Sequence, residues 1–248
     1  MRKLFSLFLL LFANTTLWAY DFQVGDLYYN ITSDTIPYTV EVTSEFDGTG
    51  TNKYNSLTIV DIPSSVEYEN ITYAVTSIGK TAFWASTNLT SLTIPESVTT
   101  IEKEAFYLCR ALSSIVIPNS VTNIGMAAFY ACTALTSITL PNGITRIEPS
   151  TFEACTSLTS VTIPKNVKSI GKQASAACAS MTSLTIPEGV TTIEHGAFYL
   201  CLALESVTIP NSVTHISGAA FADCQSLTKV TLGTGVKEIG EQAFGGEY

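Results

Sequence analysis

Positive charge is scarce in this chain of 248 residues: 12 lysines and arginines stand against 21 aspartates and glutamates, a formal net charge of −9. So acidic a chain lacks the basic footprint by which proteins hold nucleic acid or anionic lipid. Histidine is scarcer still. His195 and His215 are the only two, and neither lies in a metal-ligand spacing or beside a serine or cysteine nucleophile motif. The one glycine-rich stretch, Asp47-Gly-Thr-Gly-Thr-Asn52, lacks the lysine and the following helix of a phosphate cradle and reads as a flexible loop. These absences leave no metal, no cofactor and no catalytic constellation, so the chain is expected not to be an enzyme.

Long apolar runs are confined to the beginning. Arg2 and Lys3, the apolar stretch Leu4 to Ala13 and the small-residue end Leu17-Trp18-Ala19 form a signal peptide over residues 1–19. The stretch is too short to span a bilayer well. The expected product is secreted or held at the cell surface, without membrane insertion after the signal is removed. Losing Arg2 and Lys3 takes the formal charge from −9 to −11.

What the chain has in abundance is itself. The segment Leu89 to Arg110, LTSLTIPESVTTIEKEAFYLCR, recurs every 23 residues. Pro95 returns as Pro118, Pro141, Pro164, Pro187 and Pro210, and Phe106 as Phe129, Phe152, Phe198 and Phe221. Cys109 returns as Cys132, Cys155, Cys178, Cys201 and Cys224. A fixed period of that length marks a solenoid, in which no coil buries its apolar face alone. Within the unit, Leu89, Leu92 and Ile94 form a strand that the proline ends, and Val98 and Ile101 form a second, shorter extended piece. Ala105, Phe106 and Cys109 are spaced as one or two helical turns facing inward.

Six cysteines in an exported chain ordinarily suggest three disulfides. Here all six share one column behind an alanine–phenylalanine pair. The spacing favours a ladder of buried thiols behaving as small hydrophobes, and pairing across neighbouring coils is the alternative. The phenylalanine column is broken once, where Ser175 and Met181 replace phenylalanine and leucine. A cavity or a shifted turn is expected there.

Residues 20–55 are not repetitive. Phe22 to Ile31 and Tyr38 to Val42 read as two extended segments, a β-hairpin capping the first coil. Residues 56–248 then form about eight coils. The interval from Pro63 to Pro95 is nine residues too long, and the excess around Glu67 to Tyr73 is expected to be a surface loop. The last coil begins at Leu227, has Gly233 in place of proline, and carries no separate polar cap. Its end is expected to be shielded by residues 245–248 or by a partner.

The strand positions that do not point inward form two hydroxyl columns. Ser91, Ser114, Ser137, Ser160, Ser183 and Ser206 make one, closed by Lys229. Thr93, Thr139, Thr162, Thr185 and Thr208 make the other, interrupted by Val116. Such a face suits hydrogen bonding to an extended polar or glycosylated ligand, while β propensity alone also accounts for threonine on an exposed sheet. Glu102, Glu148 and Glu194 recur two coils apart, a separation at which two carboxylates cannot share one glycosidic bond.

The pattern LxxLxIPxxVxxIxxxAFxxCxxL, running from Ser56 to Phe244, resembles the BspA-like leucine-rich repeats of surface and secreted proteins. The resemblance implies a right-handed, curved solenoid with a parallel β-sheet on its concave face and short strands or helical turns on the other side. It also implies adhesion: binding an extracellular protein or glycan without catalysis. The alternative is an assembly role at the cell surface, with open coil ends mediating self-association.

Overall fold

In the computed structural model residues 20–45 and 51–246 are described. The signal segment 1–19, residues 46–50 of the glycine-rich loop, and Glu247 and Tyr248 lie outside the described residues.

The chain opens with β1 (Phe22–Val24), β2 (Leu27–Ser33) and β3 (Thr39–Thr43). The first extended segment is thus itself a hairpin, turned at Gly25, whose φ of +60° is a conformation glycine adopts freely. β2 pairs antiparallel with β3. A 3-10 turn at Lys53–Ser56 leads into β4 (Ile59–Asp61). The nine extra residues are not a loop. They form a second antiparallel hairpin of β5 (Ser65–Tyr68) and β6 (Ile71–Ile78), turned at Glu69 and Asn70 with positive φ.

The coils follow in chain order: β7 (Ser91–Thr93) and β8 (Thr100–Ile101), β9 (Ser114–Val116) and β10 (Asn123–Ile124), β11 (Ser137–Thr139) and β12 (Arg146–Ile147), β13 (Ser160–Thr162) and β14 (Ser169–Ile170), β15 (Thr192–Ile193), β16 (Ser206–Ile209) and β17 (His215–Ile216), β18 (Lys229–Leu232) and β19 (Glu238–Ile239). Two parallel ladders result. On the first, Leu92 sits beside Ile115, Ile138 beside Val161 and Val207 beside Val230. On the second, Ile78, Ile101, Ile124, Ile147, Ile170, Ile193, Ile216 and Ile239 mark eight rungs, about seven turns of the solenoid. Alternation within each short strand turns these apolar residues into the core and the polar ones outward.

The third side of the coil is not helical. Across Glu104–Cys109 and its equivalents the chain makes two consecutive tight turns, each ending in a left-handed residue: Glu104 and Leu108, Ala127 and Ala131, Ser150 and Ala154. Left-handed residues at that spacing stop a helix from propagating. The turns instead bond forward to the next coil, with the Phe106 N–H donating to the Ala128 carbonyl (2.8 Å) and the Phe129 N–H to that of Thr151 (2.9 Å). The strands bond backward, as where the Thr99 N–H donates to the Thr76 carbonyl (2.9 Å).

Inside, the phenylalanines stack nearly parallel. Ring centroids are 5.3 Å apart from Phe83 to Phe106, 5.2 Å to Phe129 and 5.8 Å to Phe152. The stack resumes from Phe198 to Phe221 (5.1 Å) and Phe244 (5.3 Å). At Ser175 the turn is not shifted. The Phe152 N–H still reaches the Ala174 carbonyl (2.7 Å) and the Ser175 N–H that of Ala197 (2.8 Å). The disturbance appears across the coil instead, where the strand expected at Ser183–Thr185 is reduced to isolated bridges from Thr185 to Thr162 and Thr208.

The cap closes one end. β3 runs parallel to β6 and occupies the place of a preceding rung. Tyr54 covers Phe83 (4.9 Å) while its hydroxyl donates to the Thr43 carbonyl (2.6 Å) and accepts from the Tyr28 N–H (2.7 Å). A terminal coil needs such a cover.

Candidate binding face

β4, β7, β9, β11, β13, β16 and β18 place the two hydroxyl columns on one surface. Thr139, Thr162, Thr185, Thr208 and Thr231 stand in successive register, about 4.8 Å apart as neighbouring strands are. Nine of the eleven expected face residues are exposed. Ser91 and Ser160 are half-buried. Between Asp61 at one end and Lys229 at the other the two columns hold no charged side chain. Val116, 80% exposed, is the apolar break in the threonine column, and Ile59, 66% exposed, begins the serine column.

A third hydroxyl column, at the corner where the chain enters this sheet, escaped sequence reasoning. Its hydroxyls are occupied: Thr90 donates to the Thr58 carbonyl (2.8 Å), Thr159 to that of Thr136 (3.0 Å) and Thr228 to that of Glu205 (3.4 Å). The second ladder repeats the device, with Thr191 on the Lys168 carbonyl (3.0 Å) and Thr214 on that of Thr191 (3.2 Å). Among the described residues none of the eleven face hydroxyls has such a partner. The residue just before each first-ladder strand is the signal that separates the two sets. Corner hydroxyls tie a coil to its predecessor; face hydroxyls are left for solvent or ligand.

The face has one seam. β9 and β11 are not paired, nor are β10 and β12, so both ladders are interrupted between the same two coils. The turns there keep their bonds, from the Ala127 N–H to the Pro149 carbonyl (3.0 Å) and from the Ala131 N–H to that of Glu153 (2.8 Å). A cleft of about 370 Å³ opens along the seam, with Ile115 and Ile138 in its lining and Val116 and Thr139 on either side.

The other candidate groups do not converge. His195 is exposed; His215, also exposed, accepts or donates at Thr214 Oγ1 (2.7 Å) and lies 3.6 Å from Glu238. Glu148 and Glu194 do meet, through one cation: Arg146 pairs with Glu148 at 3.4 Å and with Glu194 at 2.9 Å. Gly171 holds the same column in the coil between them, where a Cβ would meet the Ile147 carbonyl at 2.7 Å. Among the described residues no group of three or more His, Cys, Asp or Glu could hold a metal ion, and no helix is long and apolar enough to cross a membrane.

The six cysteines are free buried thiols. Each donates to the carbonyl 26 residues earlier, from Cys109 on Phe83 (3.0 Å) to Cys224 on Phe198 (3.2 Å). Burial pushes the Cys109 and Cys155 thiols up to about 12, and Cys132 and Cys178 well above the ordinary value. Cys201 is raised by its hydrogen bond to Cys224 and by burial, while that same bond lowers Cys224. Cys224 is the least covered, at 8% exposure, and lines a cavity of about 280 Å³ with Leu227, Val230 and Phe244. In dilute solution near pH 8 Cys224 alone is expected to react with a charged aromatic disulfide reagent, since the thiolate is the reactive form. The other five should react only on unfolding; two or more fast thiols per native chain would contradict this.

The sequence profile of the BspA type leucine rich repeat region matches residues 52–178 and 146–247, in 6 copies. The chain belongs to the BspA-type leucine-rich repeat family. No protein with a curated description matches it. Among solved structures, the BspA-type chain is similar to a leucine rich cell surface protein from Faecalibacterium prausnitzii, at 31% identity and a TM-score of 0.72, over 85% of this chain and 54% of that one. It is similar also to a leucine-rich repeat protein from Eubacterium ventriosum, at 27% identity and a TM-score of 0.61, over 81% of this chain and 50% of that one. A leucine-rich repeat protein of T. pallidum, at 22% identity and a TM-score of 0.54, covering 91% of this chain and 86% of that one, shares the fold. The BspA-type chain thus spans about half the length of the first two.

Proposed function

We propose that this chain is an exported, non-enzymatic binding module that uses its Ser/Thr face to hold an extracellular protein or glycan at a cell surface. The observation that carries the reading is the division of labour among hydroxyls. Corner threonines are consumed in joining coils, whereas the eleven face residues stand in a regular, uncharged array with no hydrogen-bond partner among the described residues. A ligand for such an array is extended and polar, recognised by repeated hydrogen bonds and not by charge. The similarity to a cell surface protein from Faecalibacterium prausnitzii supports the location.

The test compares the two hydroxyl sets. Residues 20–248 are passed over immobilised matrix proteins, epithelial surface proteins and glycans. Replacing Thr139, Thr162 and Thr185 together by lysine is expected to weaken binding at least tenfold while leaving the melting temperature unchanged. Replacing Thr159 and Thr191 by valine should do the opposite, keeping binding and lowering stability by about 1 kcal/mol for each lost hydrogen bond. Binding that survives the triple lysine variant would remove the face from consideration.

A further inference from the structure

Asn142-Gly143 is the only asparagine–glycine pair in the sequence. It lies at the seam, in the turn that joins β11 to β12, and both residues are exposed. The glycine answers a close approach. A Cβ at 143 would meet Thr122 Cγ2 at 2.9 Å and the Val121 carbonyl at 3.2 Å.

This turn is the loosest of its series. Its closing bond, from the Ile144 N–H to the Pro141 carbonyl, is 3.4 Å long. In the five equivalent turns, from Val98 on Pro95 to Val213 on Pro210, that bond is 3.0–3.3 Å. The chain beyond it is untied as well. The Thr122 and Lys168 N–H groups reach back to the Thr99 carbonyl (2.9 Å) and the Thr145 carbonyl (2.8 Å), whereas among the described residues Thr145 makes no such bond. Two backbone ties remain at Asn142, its N–H on Asn119 Oδ1 (3.4 Å) and its carbonyl accepting from Asn166 Nδ2 (2.8 Å). Neither holds the side chain. Among the described residues the Asn142 carboxamide and the Gly143 N–H have no hydrogen-bond partner.

The asparagines followed by serine are held. Asn55 Oδ1 accepts from the Thr87 N–H (3.0 Å), Asn119 Oδ1 from that of Asn142, and Asn211 Oδ1 from that of Thr234 (2.9 Å). The Ser212 N–H is itself engaged by Glu188 (3.2 Å).

We propose that Asn142 is a self-modifying site, at which the Gly143 nitrogen displaces ammonia from the asparagine side chain. Hydroxide takes the Gly143 amide proton and the nitrogen attacks Asn142 Cγ. The N–Cγ bond forms, the Cγ–Nδ2 bond breaks, and ammonia leaves with a proton from water, which restores the hydroxide. With no side chain on residue 143 to crowd the approach, the five-membered succinimide closes freely. Water then opens the ring. Breaking N–Cγ leaves aspartate and an unaltered main chain. Breaking the bond to the Asn142 main-chain carbonyl carbon leaves isoaspartate, whose main chain runs through the β-carbon and is one carbon longer. One water is consumed and one ammonia released.

The longer chain falls where the array can least absorb it. Ile144 is a core residue at 2% exposure, and Pro141 lines the seam cleft with Asn119. An added carbon between Asn142 and Gly143 shifts Ile144 against Pro141 beside two open ladders, and stability in a solenoid is a sum of such neighbour contacts. Isoaspartate is therefore expected to weaken the seam. Aspartate is not, because the Asn142 side chain has no bond to lose.

Trypsin releases residues 111–146 as one peptide that holds Asn119, Asn123 and Asn142, so each digest carries its own controls. Residues 20–248 are kept native, and in parallel in urea, in mildly alkaline buffer at body temperature. Fragment ions containing residue 142 are expected to gain one dalton, in the native chain within tenfold of the rate in urea, while Asn119 and Asn123 stay unchanged. An isoaspartate methyltransferase should label the product, and Asn142→Gln, which would have to close a six-membered ring, should give none. The isoaspartate fraction should unfold at a lower urea concentration than fresh protein, and Asn142→Asp at the same one. A native rate more than tenfold below that in urea would overturn the inference. So would equal modification of Asn119, or an isoaspartate fraction as stable as fresh protein.

Discussion

Phe129→Ala is expected to lower the stability of the chain by about 3–5 kcal/mol, the ordinary cost of removing a fully buried phenylalanine that leaves a cavity, and to split one unfolding transition into two. The first effect follows from burial: Phe129 is 0% exposed and sits between two rings. The second follows from where it sits. Between the coil of Ile124 and the coil of Ile147 both strand ladders are unpaired, and the Phe129–Phe152 spacing of 5.8 Å is the widest in the stack. Coupling across this seam rests on the turn bonds, the Cys155 thiol's bond to the Phe129 carbonyl, the Asn142 N–H on Asn119 Oδ1 and the ring contact. In a solenoid, cooperativity is a sum of such nearest-neighbour terms, so a weak one made weaker separates the array into halves. Urea unfolding followed by circular dichroism and hydrogen exchange reads this directly. Phe106→Ala, flanked by paired strands on both sides, should cost as much and remain one transition. If the two variants unfold alike, the seam is not the weak joint.

The thiol column gives the second large effect, an alkaline collapse. Well below pH 9 the five deeply buried thiols, Cys109, Cys132, Cys155, Cys178 and Cys201, are protonated in both folded and unfolded chains, and stability does not depend on them. Above the ordinary thiol value of 9.0 the unfolded chain releases protons that the folded coil retains, because burial holds Cys109 and Cys155 up to about 12 and Cys132, Cys178 and Cys201 also above 9.0. Each such thiol lowers stability by about 1.4 kcal/mol per pH unit over that window. Five together approach about 7 kcal/mol per unit, against a typical total of about 5–15 kcal/mol. Equilibrium alkaline titration is expected to unfold the chain near pH 10.5, a value set by that slope and total. The combined Cys132→Ala, Cys155→Ala and Cys178→Ala variant should show a slope smaller by about 4 kcal/mol per pH unit. A native spectrum persisting to pH 12 would show that the thiols do not govern the transition.

The repeat was legible because its period writes the same residue into the same place in coil after coil. Pro, Phe and Cys columns gave the coils, and alternation gave the face. Three features were not legible, each for a physical reason. The turns at Glu104 and Leu108 are left-handed without glycine, so no turn residue announced them and apolar spacing suggested a helix. The hairpin at Ser65–Tyr68 and Ile71–Ile78 was concealed because its turn, Glu69-Asn70, lacks a glycine. In the first coil Ile59 points outward and Val60 inward, and two apolar residues in succession do not state which one faces the core. On the face itself the columns were read from sequence, but not the corner set beside them. Corner and face residues are mostly serine or threonine, and the hydrogen bonds tell them apart.

The reach of Arg146 to Glu194 has a consequence for how such arrays change length. Most contacts here join a coil to the one beside it, so a duplicated unit of 23 residues would enter without altering its neighbours' surroundings. The Arg146–Glu194 pair is separated by 48 residues and joins coils two apart. One additional unit inserted between Ile147 and Glu194 would leave every column in place and break this pair. Between these residues an added coil would lose this pair, a contribution of at most about 1 kcal/mol at such exposure. Elsewhere the array is free to lengthen by duplication.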